Sequence, residues 1–202
     1  MARLNAADLD KKKLERKEQI MRAAIKVFAE NGVKLTKISM IAKEAGISHG
    51  LVYHYFNSKE EVLYQSLEWT MNADETRTYL QQLDEKPISP LEKITEFTKF
   101  AILSSEFGTS DIFRIIQHLE DSEDVPNHVK TLTENAGVLY FEFFIPIFTE
   151  GQSVGQIIEG DPNELVALYL SLISGIMADE PNWWKDKLDY KVSILLRMIS
   201  TR

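Results

Sequence analysis

Apolar residues recur through most of the chain at the spacing of amphipathic helices. In the first such stretch Ile20, Ala24 and Phe28 follow one another at four-residue steps, which predicts a helix with one buried face from about Leu14 to Glu30. Later stretches with the same period predict helices that begin near Lys59, Pro90, Asp111, Pro126, Pro162 and Leu188. The chain is therefore predicted to be all-α.

Residues 36–61 contain two short helical segments separated by a glycine. Apolar residues at four positions from Ile38 to Ala45 line one face of the first segment. Thr36 is predicted to cap its start, because a threonine hydroxyl can accept a hydrogen bond from an unpaired backbone N–H. Gly46 follows the last apolar position, where glycine adopts the left-handed conformation that ends many helices.

The second short segment begins after Ser48, a favourable N-cap residue. Val52 and Phe56 lie one turn apart and are predicted to point inward. The opposite face carries no acidic residue, so it could approach phosphates without repulsion. That face consists of His49, Gly50, Tyr53 and His54.

Periodicity alone leaves two architectures open for this pair of segments. One is a helix-turn-helix, whose second helix enters the major groove of DNA. The other is an αα-hairpin within a helical bundle, with a polar face that is merely solvated. In either case Ser58 and Glu61 form a capping-box pattern that predicts the start of a third helix.

The same stretch resembles the DNA-binding domain of the TetR family of bacterial transcriptional regulators. The residues that match the family pattern are Ile41, Ala42, Ala45, Gly46, Ile47, Ser48, Gly50, Tyr53, Phe56 and Lys59. The chain departs from the pattern just before Phe56, where the usual histidine is replaced by Tyr55 and a histidine stands one residue earlier as His54. Thr36 also lies slightly farther upstream of Ile41 than the pattern places it.

The resemblance implies two domains. Residues 1–58 would form a three-helix helix-turn-helix DNA-binding domain with a basic N-terminal arm, and residues 59–202 a larger helical domain for effector binding and dimerisation. Bases or groove walls of a double-stranded DNA operator would be contacted by His49, Gly50, Tyr53 and His54. Phosphates would be contacted by Thr36, Ser48, Tyr55 and Lys59. The last two helices would form a homodimer, which places two recognition helices in successive major grooves.

The distribution of charge agrees with a DNA-binding N-terminal part. Residues 1–59 contain 12 lysines and arginines against 6 acidic residues, a net charge of +6, whereas residues 60–202 carry −14. A basic module attracts a polyanion, and an acidic body keeps the remainder of the protein away from it. The run Lys11–Lys13 is expected to be either a solvated terminus or a flexible arm that touches phosphates or the minor groove.

Eight of the ten phenylalanines lie between Phe97 and Phe148. Most are expected in a helical core, but an apolar cavity among them could hold a small, largely apolar effector. The acidic balance of this half favours a neutral or cationic amphiphile over an anion. The predicted lining residues are Trp69, Phe97, Phe100, Phe113, Ile116, Phe141 and Phe144.

A long helix is predicted from Lys59 to Leu83, because no glycine or proline interrupts it. At 1.5 Å per residue it would span about 35 Å and link the two domains, so an effector that shifts it would move the DNA-binding helices. The helix from Pro126 is predicted to end near Thr149, kinked or broken by Pro146, and residues 151–160 are predicted to form a loop.

Composition bears on the remaining classes of function. The chain has no cysteine and no run of eighteen apolar residues, so disulfides and membrane spans are not expected. It also has no apolar N-terminal signal segment, so a cytoplasmic location is expected. No motif of a metalloprotease, P-loop enzyme or cysteine nucleophile is present, and no catalytic residue, cofactor or metal is predicted. The sequence predicts a ligand-responsive repressor. The alternatives are a ligand-independent regulator or an activator and, more remotely, an all-α enzyme.

Overall fold

The computed structural model describes residues 6–71, 73–104, 109–120, 125–178 and 182–201. These residues form eleven α-helices and a short 3-10 turn. The helices are α1 (Ala6–Leu35), α2 (Ile38–Glu44), α3 (His49–Tyr55), α4 (Lys59–Thr70), α5 (Ala73–Asp84), α6 (Pro90–Ser104), α7 (Thr109–Glu120), α8 (Asn127–Ser153), α9 (Pro162–Ala178), α10 (Asn182–Lys185) and α11 (Leu188–Leu195), followed by the 3-10 turn Leu196–Met198. Within the described ranges there is no β-strand, so the all-α prediction is confirmed.

Helix α1 is longer than its predicted range from Leu14 to Glu30. It begins at Ala6, so the run Lys11–Lys13 is helical and the prediction of a flexible arm is wrong for this part of the chain; residues 1–5 lie outside the described ranges. Alanine and lysine are good helix formers, which explains the extension. The break near its end falls at Gly32, whose φ of 70° and ψ of 163° are not helical.

A first hydrophobic core surrounds α1. It contains fully buried side chains from the first four helices, among them Phe28, Ile41, Val52 and Leu63. Helix α7 contributes to the same core through Ile115 and its neighbours on one face. The packing around the first three helices therefore continues beyond residue 58, where the domain boundary was predicted.

A second core lies among α5, α6, α8, α9 and α11. Its centre is aromatic, because Phe144 packs edge-on against Phe97, Phe148 and Tyr169 with ring centroids 4.8, 6.3 and 5.2 Å apart. Phe144, Phe148 and Tyr169 are fully buried. Each such ring contributes roughly 1.5–3 kcal/mol through removal of apolar surface from water.

The predicted continuous helix from Lys59 to Leu83 is wrong. Helix α4 ends at Thr70, and Met71 leaves the helix with φ of −84° and ψ of 35° before α5 begins at Ala73. The Thr70 hydroxyl donates to the Ser66 carbonyl oxygen at 2.7 Å. Threonine is a weak helix former, and Thr70 is the last residue of α4.

The predicted end of the eighth helix is also wrong, because α8 passes through Pro146 and continues to Ser153. Gly151 belongs to this helix and is buried against Ile157. The Gln152 side-chain amide donates to the carbonyl oxygens of Ile158 and Gly160 at 3.0 and 2.9 Å. These contacts fold the following loop back over the helix end, so the predicted loop of residues 151–160 begins only after Ser153.

Candidate nucleic-acid interface

The turn between α2 and α3 is a Schellman motif. The Gly46 N–H donates to the Lys43 carbonyl oxygen at 3.1 Å, and the Ile47 N–H donates to that of Ala42 at 3.0 Å. Gly46 has φ of 65°, a conformation that suits glycine and penalises residues with a Cβ. The predicted glycine turn of a helix-turn-helix is therefore present.

Helix α3 is held in one orientation by its cap and its two inward residues. The Ser48 hydroxyl accepts from the Leu51 N–H at 3.3 Å, and Val52 and Phe56 are fully buried. The opposite face is exposed and consists of His49, Gly50, Tyr53 and His54. The four residues predicted to read DNA therefore share one exposed helix face.

Tyr53 stands out on this face because 49% of its side chain is exposed. The ring of His49 meets it edge-on with centroids 5.1 Å apart. A Cβ added at Gly50 would have no atom within 4 Å, so the face is open beside these rings. The surface offers a phenol, two imidazoles and a glycine, which suits hydrogen bonding and close approach in a groove.

The turn from α3 to α4 is closed by reciprocal capping. The Ser58 hydroxyl accepts from the Glu61 N–H at 3.1 Å, as predicted. The Glu61 carboxylate, in turn, accepts from the backbone N–H of Asn57 at 2.6 Å rather than from that of Ser58. The turn that follows α3 is thus fixed on both sides.

Two residues predicted to contact phosphates have other roles. Thr36 is only 2% exposed, and its hydroxyl donates to the Gly32 carbonyl oxygen at 2.8 Å. The N-cap position of α2 belongs to Lys37, so the predicted capping role of Thr36 is wrong. The Lys59 ammonium group donates to the Val33 carbonyl oxygen at 2.8 Å. Both side chains hold the break at the end of α1 in place, and the burial of Thr36 leaves its hydroxyl no surface for DNA.

The exchange of tyrosine and histidine just before Phe56 has a clear structural outcome. Tyr55 is partly buried and packs against the first core, whereas His54 is exposed. Their rings meet edge-on with centroids 5.2 Å apart. Both side chains lie at the end of α3, and His54 is the one directed towards solvent.

The predicted effector-lining residues fall into separate groups. Phe97 and Phe144 are in the second core, and Phe113 and Phe141 are partly buried against it. Phe100 lies at its edge, 44% exposed, where its ring stacks on Tyr79 with centroids 3.9 Å apart. These five predicted residues therefore surround one part of the body.

Trp69 and Ile116 do not join that group, because both pack against the first core. The guanidinium group of Arg22 in α1 lies 4.8 Å from the centre of the Trp69 ring. Trp69 thus lies on the last turn of α4, beside α1. The grouping of Trp69 with the phenylalanines is wrong.

Sequence reasoning missed a set of hydroxyl groups inside the second core. The hydroxyls of Thr98 and Tyr169 form a hydrogen bond of 2.8 Å, and both side chains are fully buried. Burial raises the pKa of Tyr169 and raises that of Tyr79 to about 12. The pattern along each helix could not reveal this pair, because its members are 71 residues apart in the chain.

Known proteins resemble this chain in sequence and in structure. Residues 20–65 match the family described as "Bacterial regulatory proteins, tetR family". The HTH-type transcriptional regulator YhgD of Bacillus subtilis is 30% identical over 134 residues, which cover 60% of this chain and 69% of that protein. The chain belongs to the TetR family of bacterial transcriptional regulators. Its relatives regulate transcription, so the prediction that it is not an enzyme is confirmed.

Two other members of the TetR family are informative. The fatty acid metabolism regulator protein of Bacillus subtilis is 28% identical over 181 residues, covering 86% of each chain. A structure of that species' FadR in complex with stearoyl-CoA has a TM-score of 0.60 at 26% identity, covering 90% of this chain and 94% of the other. The similarity to this regulator therefore extends through both cores.

The transcriptional repressor KstR2 of Mycolicibacterium smegmatis is 36% identical over 94 residues, which cover 45% of this chain and only 43% of the repressor. The structure of the ketosteroid regulator KstR2 of Mycobacterium tuberculosis has a TM-score of 0.75 at 19% identity, covering 93% of this chain and 96% of the other. This second comparison establishes the shared fold.

Among the described residues no three histidine, aspartate or glutamate side chains are grouped so as to hold a metal ion. None of the described helices combines the length and the apolar character that crossing a bilayer requires.

Proposed function

We propose that this TetR-family protein represses transcription by binding a near-palindromic operator as a homodimer, and that a small, largely apolar effector releases it. The observation that carries the proposal is the exposed face of α3, which follows a Schellman turn and carries no acidic residue. Such a face can enter a major groove without repulsion from the phosphates. A regulator of this kind acts in the bacterial cytoplasm, where the chromosome lies.

The DNA contacts divide into those that specify and those that position. His49, Gly50, Tyr53 and His54 meet base edges or groove walls, because they occupy the exposed face of α3. Ser48 and Tyr55, at the two ends of α3, meet phosphates. Lys59 contributes positive charge at the start of α4 while its ammonium group also holds the end of α1.

The homodimer forms through the exposed faces of α9 and α11. On α9, Leu168 and Leu172 are 58% and 38% exposed, with the small residues Ser171 and Gly175 on the same face. On α11, Ile194 is 44% exposed. A Cβ at Gly175 would have no atom within 4 Å, so a second helix can approach closely. Apolar stripes of this kind on neighbouring helices suit a four-helix interface between two subunits.

The effector enters among the aromatic residues of the second core. Its lining comprises Phe97, Phe100, Phe113, Phe141 and Phe144, and the exposed ring of Phe100, stacked on the partly buried Tyr79, is the accessible edge of this region. The relative that carries stearoyl-CoA makes a long-chain acyl-CoA thioester the first class to test. The acyl chain matches the aromatic core. The net charge of −14 over residues 60–202 disfavours burial of the anionic phosphates, so these would remain in solvent while the acyl chain enters the core.

Binding is transmitted through α7, because this helix contacts both cores. Its Ile115 face packs on α1, Phe113 packs on the second core, and the Arg114 guanidinium donates to the Ala178 carbonyl oxygen at 2.7 Å. The interrupted α4–α5 segment cannot act as the single rigid lever that the sequence predicted. A displacement of the aromatic core would therefore reach the DNA-binding helices through α7.

The first experiment selects bound duplexes from a random pool with the purified protein. The expected result is one enriched near-palindrome whose half-site centres lie about one helical turn, 34–36 Å, apart. A pool that stays random after repeated rounds, although the protein binds it, would overturn sequence-specific regulation.

The second experiment titrates stearoyl-CoA into the complex of protein and selected duplex. Release of DNA is expected, and Phe100→Ala should weaken the effect, whereas Val138→Ala on the exposed side of α8 should not. If no acyl-CoA of any chain length releases DNA, the tight packing of Phe144 and Phe97 favours a regulator that needs no ligand.

A further inference from the structure

Helix α1 extends well beyond the core that it supports. Ile20 is its first fully buried residue, and the described side chains from Asp8 to Glu15 are all exposed. The fourteen residues from Ala6 to Gln19 rise by roughly 21 Å at 1.5 Å per residue. Because these residues are helical, the extension has a fixed direction relative to the helix-turn-helix.

The extension contains a cluster of basic residues, although its four acidic residues leave it a net charge of only +1. Five cationic side chains occur within seven residues, namely Lys11, Lys12, Lys13, Arg16 and Lys17. Of the acidic residues nearby, Glu15 and Glu18 line the cleft between α1 and the end of α2. Glu15 and Glu18 therefore point away from Lys13 and Lys17, whereas Asp10, three residues before Lys13, shares the helix face of the two lysines.

The direction of the basic face is set by Lys17. Its ammonium group lies 5.6 Å from the centre of the Phe56 ring, at the end of α3. Lys13 is four residues earlier and so stands on the same side of α1, one turn farther out. The basic face thus begins beside the turn that joins α3 to α4 and continues past it.

We propose that Lys13 and Lys17 form a second DNA-contacting surface, which binds the phosphates that flank the half-site read by α3. This rests on the proposed function. The charge of the surface complements DNA, and the surface is continuous with the end of the recognition helix. Phosphate contacts carry no sequence information, so this surface raises affinity and fixes the orientation of α3.

The test measures how the affinity for a random-sequence duplex of 30 base pairs depends on salt. Each phosphate contact adds about 0.9 to the slope of log K against log[salt]. Lys13→Gln removes one contact per protomer, so the slope of a bound dimer should fall by about 2, and Lys13→Gln with Lys17→Gln should lower it by about 4. Because Lys13 is exposed, its single variant separates the loss of a contact from any loss of packing at Phe56.

The matched control removes two exposed cations from the body, Lys130→Gln with Lys187→Gln. It changes the net charge as much as the double variant does, and its slope should equal that of the wild type. A wild-type slope in Lys13→Gln and in the double variant would overturn the proposal, as would an equal loss in the control. A wild-type protein that binds all duplexes alike would contradict the proposed function while leaving this comparison valid.

Discussion

Tyr53 is the side chain on which sequence-specific DNA binding depends most in this account. It is half exposed on a face of α3 whose other residues are small or polar, and His49 packs against its ring. We therefore expect this side chain to contribute to affinity for the operator and not to the stability of the core.

Tyr53→Ala should therefore lower affinity for the selected operator by about 5- to 150-fold, the equivalent of roughly 1–3 kcal/mol. The protein should stay folded and dimeric. Anisotropy titration of labelled operator measures the loss, and Tyr53→Phe separates the hydroxyl from the ring. Wild-type affinity in Tyr53→Ala would contradict the docking of α3.

Two glycines of α8 differ in what surrounds them, and alanine should distinguish them. A Cβ at Gly137 would meet no atom within 4 Å, whereas one at Gly151 would lie 2.7 Å from Cγ1 of the buried Ile157. Gly137→Ala should raise the free energy of unfolding by about 0.5–1 kcal/mol through lost chain entropy. Gly151→Ala should lower it by about 1–3 kcal/mol through overpacking.

Urea unfolding of the two variants measures this difference. Equal effects of alanine at both positions would show that Ile157 does not pack against Gly151.

At the residue scale, local signals were predictable and contacts with other elements were not. Ser48, Ser58 and Gly46 act within four residues of themselves, so the sequence predicts their caps and turn. The same kind of local signal predicts that Thr36 caps the start of α2. Its hydroxyl instead bonds to carbonyls of α1, because Gly32 turns the backbone towards it.

At the scale of helices, the periodic faces were predictable and the ends were not. The starts at Lys59 and Pro162 agree with their predicted positions. The break at Met71 and the passage of α8 through Pro146 depend on packing against other helices, which periodicity does not report. Trp69, on the last turn of α4, packs with the first core rather than with the phenylalanines.

A single charged substitution on α9 tests the proposed dimer interface. Leu172→Arg places a cation within the apolar stripe of α9 and should yield monomers in sedimentation velocity. Val138→Arg adds the same charge to an exposed apolar position on α8 and should remain dimeric. A dimer in both variants would place the interface elsewhere.

At the scale of the whole molecule, the separation of charge was visible in the sequence. The +6 part of the chain contains α1 to α3, and the −14 part contains the body. The composition did not reveal that α7 packs with the DNA-binding helices, because its two apolar faces serve different cores. The candidate effector site was predictable only as an aromatic region, since its buried Thr98–Tyr169 pair joins distant helices.

In the proposed complex, two copies of α3 read one operator. The most direct measurement titrates the protein into three duplexes of equal length, carrying the selected near-palindrome, a single half-site, or a scrambled sequence. Two protomers should bind the palindrome at least about 10³-fold more tightly than the scrambled duplex, with affinity that falls steeply as salt rises. Equal affinity for the palindrome and the scrambled duplex would contradict the account.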